Sequence, residues 1–374
     1  MGGGRKSLTA RHREAIVLLT GAGGTFGLIC GFFGMLDWLK VDLEWLKALH
    51  WFAVYLLVLH SMIGGLVVLA YRRLRLQDLK EAEALDQRKD SSALASEVAV
   101  SLKAALDAHR YLEVIRIGSV LSRPLFESGS FKARLAIGSL VEEAAAAVDD
   151  QHAQMMELID SIGWSCVELG ELDRAREKIQ HGLKIAIKLK DEFYISKAKR
   201  HLGVICRRKE DYAGAAKLYA EAFEAARRVT DENQRRSAFT GLQYAQASLH
   251  IHRSEEEYEE ALHVVDEAID GSKQSKDSYR LTMALTLKGE ILFRDGKLAD
   301  AKDTLRKALH SAEAGTQRLL AARSLIGLTK ISMAEHDWEK ANENLEHAAV
   351  HAQEINSEGE LAAIRSLRRQ LPAL

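Results

Sequence analysis

Two uninterrupted apolar runs lie near the start of the chain, and a periodic alternation of apolar and polar residues fills most of the rest. The first run, Ala15 to Leu36, is 22 residues without a charge; the second, Trp51 to Tyr71, contains no Asp, Glu, Lys or Arg. A helix rises about 1.5 Å per residue and needs roughly 20 apolar residues to span a bilayer, so each run is long enough to cross one. Residues 76–108 ("RLQDLKEAEALDQRKDSSALASEVAVSLKAALDAH" from Arg75 to His109) are charged and then helical, and read as a stiff stalk or as the first helix of a downstream array. From 109 to 374 apolar residues recur at helical spacing between polar turns. The predicted organisation is a tail (1–14), a two-helix transmembrane hairpin (15–75), a charged helical connector (76–108) and an α-α superhelical solenoid (109–374). The predicted fold class is all-α.

The glycines of "AIVLLTGAGGTFG" (15–27) first suggest a strand leading into a nucleotide phosphate loop. Such a loop requires an amphipathic helix after it and further strands downstream. Here "LICGFFGMLDWLK" comes next, apolar on every face, and no later segment reads as a strand. Gly23, Gly27 and Gly31 instead fall at four-residue spacing on one helical face, and Ser61 and Gly65 form a smaller notch on the second run. Small residues so spaced let membrane helices pack closely. Arg5, Lys6, Arg11 and Arg13 precede the first run and Arg72, Arg73 and Arg75 follow the second, which places both termini in the cytoplasm. The expected location is the inner (cytoplasmic) membrane. A cleavable signal is disfavoured by the length of the first run and the lack of a small-residue cleavage site; Lys6 occupies the Ser/Thr position of a myristoylation signal. His60, in mid-span, is read first as a hydrogen-bonding residue of a helix pair and second as a proton sensor.

The solenoid is visible as a repeat. In "ELGELDRAREKIQHGLKIA" (168–186), "RKEDYAGAAKLYAEAFEAA" (208–226), "SEEEYEEALHVVDEAIDGS" (254–272), "RDGKLADAKDTLRKALHSA" (294–312) and "AEHDWEKANENLEHAAVHA" (334–352), a polar turn precedes a large apolar residue: Leu172, Tyr212, Tyr258, Leu298, Trp338. Alanine follows three residues on (Ala175, Ala215, Ala261, Ala301, Ala341), and a second small residue seven further (Gly182, Ala222, Ala268, Ala308, Ala348). Glycine often stands twelve before the first alanine, at Gly163, Gly203 and Gly289. The alanines recur at intervals of 40, 46, 40 and 40, so six residues are inserted between the second and third repeats. Residues 128–147 are a degenerate copy, with Arg134 at the alanine position. Small residues at a helix crossing let antiparallel helices approach, while the large residue fills the gap beside them.

These residues resemble the tetratricopeptide repeat (TPR) family over roughly 110–355, with a longer period than the family's 34 and without its usual proline. Two spans followed by such an array also look like the plan of bacterial HemY-type membrane proteins. The resemblance implies a binding scaffold whose first helices line a concave groove. Carried over position by position, the groove residues are Trp164, Lys197, Arg200, Arg207, Arg208, Arg294, Arg323 and Lys330. That groove is basic and suits an acidic peptide or a carboxylate, although the asparagines of the family's chaperone-binding clamp are missing; the same basic positions also read as a solvated helix face. Residues 357–371 are expected to form a capping helix.

Charge and composition narrow the function. Residues 1–80 carry ten Lys/Arg and five Asp/Glu, leaving 42 and 48 for the remaining 294, a net of −6 that argues against general nucleic-acid binding. Cys30, Cys166 and Cys206 fit a reducing cytosol, and Cys166 and Cys206 hold equivalent core positions of successive repeats. His347 and His351, at i, i+4, and the His250–His252 pair read as helix-surface histidines rather than metal ligands. No nucleophile motif, phosphate loop or paired catalytic acids stand out, so neither catalysis nor a cofactor or metal is expected. The reading is a membrane-anchored adaptor recruiting a protein partner. The rival is a membrane effector of a stress or antiviral signalling system, whose glycine-lined spans self-associate when the array senses a partner; a weaker third is an enzyme accessory subunit.

Overall fold

This computed structural model describes residues 91–372, which are helical with no strand among them. The two apolar runs, with Gly23, Gly27, Gly31, Ser61 and Gly65, lie outside the described residues; among the described residues no helix is long and apolar enough to cross a membrane. Helix α1 (Ser91–Asp107) contributes Leu102, Ala105 and Leu106 to a core shared with α2 (Tyr111–Ser128) and α3 (Phe131–Ala147). The first clear repeat begins as α4 (Gln151–Met156), passes through a π-helical turn (Glu157–Gly163) into α5 (Trp164–Glu168), and returns as α6 (Leu172–Leu189). Next come the pairs α7 (Glu192–Arg208) and α8 (Tyr212–Arg228), α9 (Glu232–Arg253) and α10 (Tyr258–Ser275), α11 (Ser278–Arg294) and α12 (Leu298–Ala314), and α13 (Arg318–Ala334) and α14 (Trp338–Glu354). Helix α15 (Glu358–Arg368) closes the array, burying Ile364 against α13 and α14.

The packing explains the repeat pattern. Ala175, Ala215, Ala261, Ala301 and Ala341 are all fully buried, as are Ala222, Ala268, Ala308 and Ala348 seven residues on. The glycines twelve residues before the first alanines face the residue four after them. A Cβ on Gly163, Gly203 or Gly289 would lie 2.4, 2.4 or 2.5 Å from Ile179, Tyr219 or Leu305, so any side chain there would separate the helix pair. The six-residue insertion is accommodated by α9, 22 residues long against 17 for most of the others, and by a 3-10 turn at Glu255–Glu257. Asp150, Asp191, Asp211, Asp231, Asp277 and Asp337 cap helix starts by accepting a backbone N–H three residues ahead. Such caps stabilise a helix by about 1 kcal/mol each. Cys166 and Cys206 are buried packing residues, and burial pushes the Cys166 thiol up to about 11.

The array closes on itself. Phe126, at the end of α2, lies 4.8 Å from the Tyr279 ring of α11, centroid to centroid. Phe131 packs with Leu319 and Ile355, and a Cβ on Gly129 would meet both of those side chains at 3.1 Å. Glu168 pairs with Arg208 (3.4 Å) and with Arg323 (2.9 Å), a partner 155 residues away.

Candidate functional site

Closure turns the concave face of the array into a central cavity of about 650 Å³. Its wall draws on helices from α2 to α15. Seven of the eight expected groove residues line it: Trp164, Lys197, Arg200, Arg207, Arg208, Arg323 and Lys330. Arg294 lies outside this lining, where it donates to the Ile251 carbonyl (3.2 Å) and to Glu290 (2.9 Å).

The cations differ in how they are held. Lys197 forms an ion pair with Asp160 (2.6 Å) and lies over the Phe193 and Tyr194 rings. Arg208 pairs with Glu168 and donates to the Val167 carbonyl. Arg323 is held between Glu168 and Glu360 (2.8 Å). These three belong to the wall. Burial disfavours charge on Glu168, but Arg323 and Arg208 more than reverse this and hold it below the usual carboxylate range. Arg200 and Arg207 have no ion pair among the described residues, and Arg207 buries its Nε without a hydrogen-bond partner. They are seven residues apart on α7, hence on one face and about 10 Å apart along the axis.

Aromatic and neutral polar groups complete the wall. Trp164 packs at a tilt against His201, centroids 4.6 Å apart and ring planes 42° from parallel. Burial, with Arg200 and Lys197 close by, holds His201 far below its usual value and therefore neutral. Tyr244 and Tyr279 also line the cavity. Burial also raises Glu157, in the π-turn, to about 7. The π-turn inserts one extra residue per turn and redirects the side chains after it, a local device frequent at functional sites.

The sequence pattern missed Asp160, Glu168, Arg134 and Arg280. Asp160 stands 15 residues before its repeat's alanine, the register that Arg200 holds in the next repeat, so alignment alone marks it as groove-facing. Arg134 is conspicuous in the sequence only as a charge at an alanine position. It is buried, donating to the Ser122 carbonyl (2.9 Å) and the Asp160 carbonyl (2.9 Å). Of the histidines, His347 is exposed and His351 half-buried on α14; His250 pairs with Glu257, and His252, on the cavity wall, donates to the Ser248 carbonyl (2.7 Å).

The geometry defines a TPR-like helical-repeat array. Its fold is similar to that of a Rap protein solved in complex with competence and sporulation factor, at 13% identity and a TM-score of 0.50, over 73% of this chain and 81% of that one. The apo form of RapI (12% identity, TM-score 0.45, 74% of this chain and 82% of that one) and yeast Tom70 (16%, 0.41, 74% and 59%) are further solved structures with some likeness. No protein-family model matches the sequence, and no curated protein matches it.

Proposed function

We propose that this chain is a membrane-anchored scaffold that holds a segment of a partner protein in the cavity of its helical array. The observation that carries the reading is the 650 Å³ cavity, lined by helices of successive repeats, with Arg200, Arg207 and Lys330 in its wall. A cavity of a few hundred Å³ with apolar walls and a few directed polar groups is the form a binding site takes. The Rap protein of similar fold was solved in complex with competence and sporulation factor, which is in keeping with a binding role for an array of this fold. The apolar runs 15–36 and 51–71 supply the anchor, and the basic flanks put the array on the cytoplasmic side of the inner membrane. An acidic segment is the expected ligand, and the chain acts by recruitment rather than catalysis.

Purification of the full-length chain from membranes in mild detergent, with crosslinking and mass spectrometry, tests this. A stoichiometric second protein, lost in the Arg200→Glu/Arg207→Glu variant, is the expected result. Recovery of self-oligomers alone, dispersed by Gly27→Leu, would overturn the scaffold in favour of a membrane effector.

A further inference from the structure

Basic groups outnumber acids at one place in the cavity wall. Arg134, Lys197, Arg200 and Arg280 all interact with Asp160 of the π-turn. Lys197 is its ion-pair partner, and Arg134 is bonded to carbonyl oxygens. Arg280 has Asp277 at 3.5 Å and donates to the Ser237 carbonyl (2.9 Å). Arg200 has no carboxylate partner among the described residues; its Nη2 donates to the neutral His201 at Nε2 (3.0 Å). Burial and repulsion from Arg280 bring Arg200 down to about 10.

A guanidinium removed from water without a counter-charge is unfavourable, and an anion brought in by a ligand relieves that cost. The room for Arg200 is made by Gly241 on α9, where a Cβ would lie 3.2 Å from the guanidinium carbon and Nε. Both Arg200 and Arg280 line the cavity, so their free donors are accessible to a ligand within it.

Charge balance indicates which anion. The four cations face the carboxylates of Asp160 and Asp277, and Glu157, which at about 7 is half ionised at neutrality. Because burial disfavours charge on Glu157, the four cations exceed the acids facing them by between one and two charges, a balance that suits the roughly −1.5 to −2 carried by a phosphoryl group. Arginine forks also match phosphate oxygens in pairs.

We propose that Arg200 and Arg280 form a phosphoryl-binding subsite within the cavity, filled by a phosphate dianion carried on the ligand. The proposal rests on the cavity being the ligand site. A phosphorylated segment of a protein partner and a free phosphorylated small molecule share this chemistry.

The test uses the full-length chain in detergent and four probes: inorganic phosphate, O-phosphoserine, and a labelled Ala-Ala-X-Ala-Ala peptide with X as phosphoserine or glutamate. Saturable binding of the phosphate probes is expected. Arg200→Gln weakens it at least about tenfold, the loss expected for hydrogen bonds to a charged group, and Arg200→Lys weakens it less. Gly241→Ala, which displaces the guanidinium, also weakens binding, while Arg306→Gln on the exposed face of α12 leaves it unchanged. Tighter binding of the phosphoserine peptide than of O-phosphoserine identifies a protein segment as the source; equal binding identifies a small molecule. Absence of saturable phosphate binding, binding that survives Arg200→Gln in a chain with unchanged circular dichroism, or equal affinity for the glutamate peptide overturns the subsite. A partner captured through Arg207 but indifferent to Arg200→Gln overturns the subsite alone. Intact phosphate binding without any captured partner overturns the scaffold reading alone.

Discussion

The last two helix pairs and the N-terminal pair use the same repeat position in opposite ways. In α11–α14 it is filled by Ala301 and Ala341, fully buried among apolar neighbours, with hydroxyl pairs such as Thr282 and Ser311 (2.7 Å) as local polar contacts. In α2–α3 the same position carries Arg134, also buried, whose guanidinium ties α2 to the π-turn of the next repeat. The regular pairs show what the pattern is for, which is close approach of helices. The irregular region shows where polar chemistry enters, because its departures from the pattern place charged groups in the cavity wall. Arg134, the π-turn with Glu157 and Asp160, and Glu168 all lie in this N-terminal stretch.

The comparison breaks most easily at Glu168. Glu168→Ala leaves Arg208 and Arg323 facing each other without their shared acid, and removal of one partner from a largely buried ion pair costs about 3 kcal/mol or more. Urea unfolding of this variant should show a loss far above that of Glu346→Ala on the exposed face of α14. Equal losses would mean that Glu168 does not hold the array closed. The same residue gives a pH dependence. Its folded value lies below the unfolded one, so its stabilisation is complete above roughly pH 4.5, near the unfolded glutamate value, and is lost as pH falls further through the folded value. Glu168→Gln should flatten that acid limb.

Arg134→Ala installs the consensus residue and should nevertheless destabilise by about 2–3 kcal/mol, through a cavity and the loss of the guanidinium hydrogen bonds that tie α2 to the π-turn. A neutral result by the same titration would reduce the N-terminal pair to a decayed copy of the others. Gly203→Ala should cost about 1–3 kcal/mol, as overpacking does, because its Cβ would lie 2.4 Å from the Tyr219 ring. Tyr219→Leu in that background should recover part of the loss; additive effects would show that the glycine serves something other than this contact. The smallest effect concerns the turns. Thr316 takes the left-handed conformation (φ 54°) that Gly296 takes in the preceding turn (φ 76°). A β-branched residue is disfavoured there, so Thr316→Gly should raise stability by about 1 kcal/mol, read as a higher melting temperature.

Much of the fold was legible because helix packing is governed by small, regularly spaced residues. The alanine positions are the buried contacts, the glycines are the close approaches, and the terminal segment folds as a helix against the last pair. Seven of eight groove positions face the cavity for the same reason: a side chain's direction follows from its register on a helix. Which of those seven are neutralised by an acid and which are left unpaired was not legible. Lys197 is neutralised by an acid 37 residues away and Arg323 by one 155 residues away, and no local periodicity encodes such pairs. The π-turn was hidden too, since one additional residue in a helical turn leaves the apolar pattern nearly unchanged.

The sequence by itself therefore determined the helices, their pairing and the face each presents, because these depend on spacing within a few turns of chain. Tertiary structure alone decided that the array closes, that Glu168 ties α5 to α13, and that Arg200 is left without an ion-pair partner among the described residues. Those outcomes depend on which charges meet after hundreds of residues of superhelix have been wound.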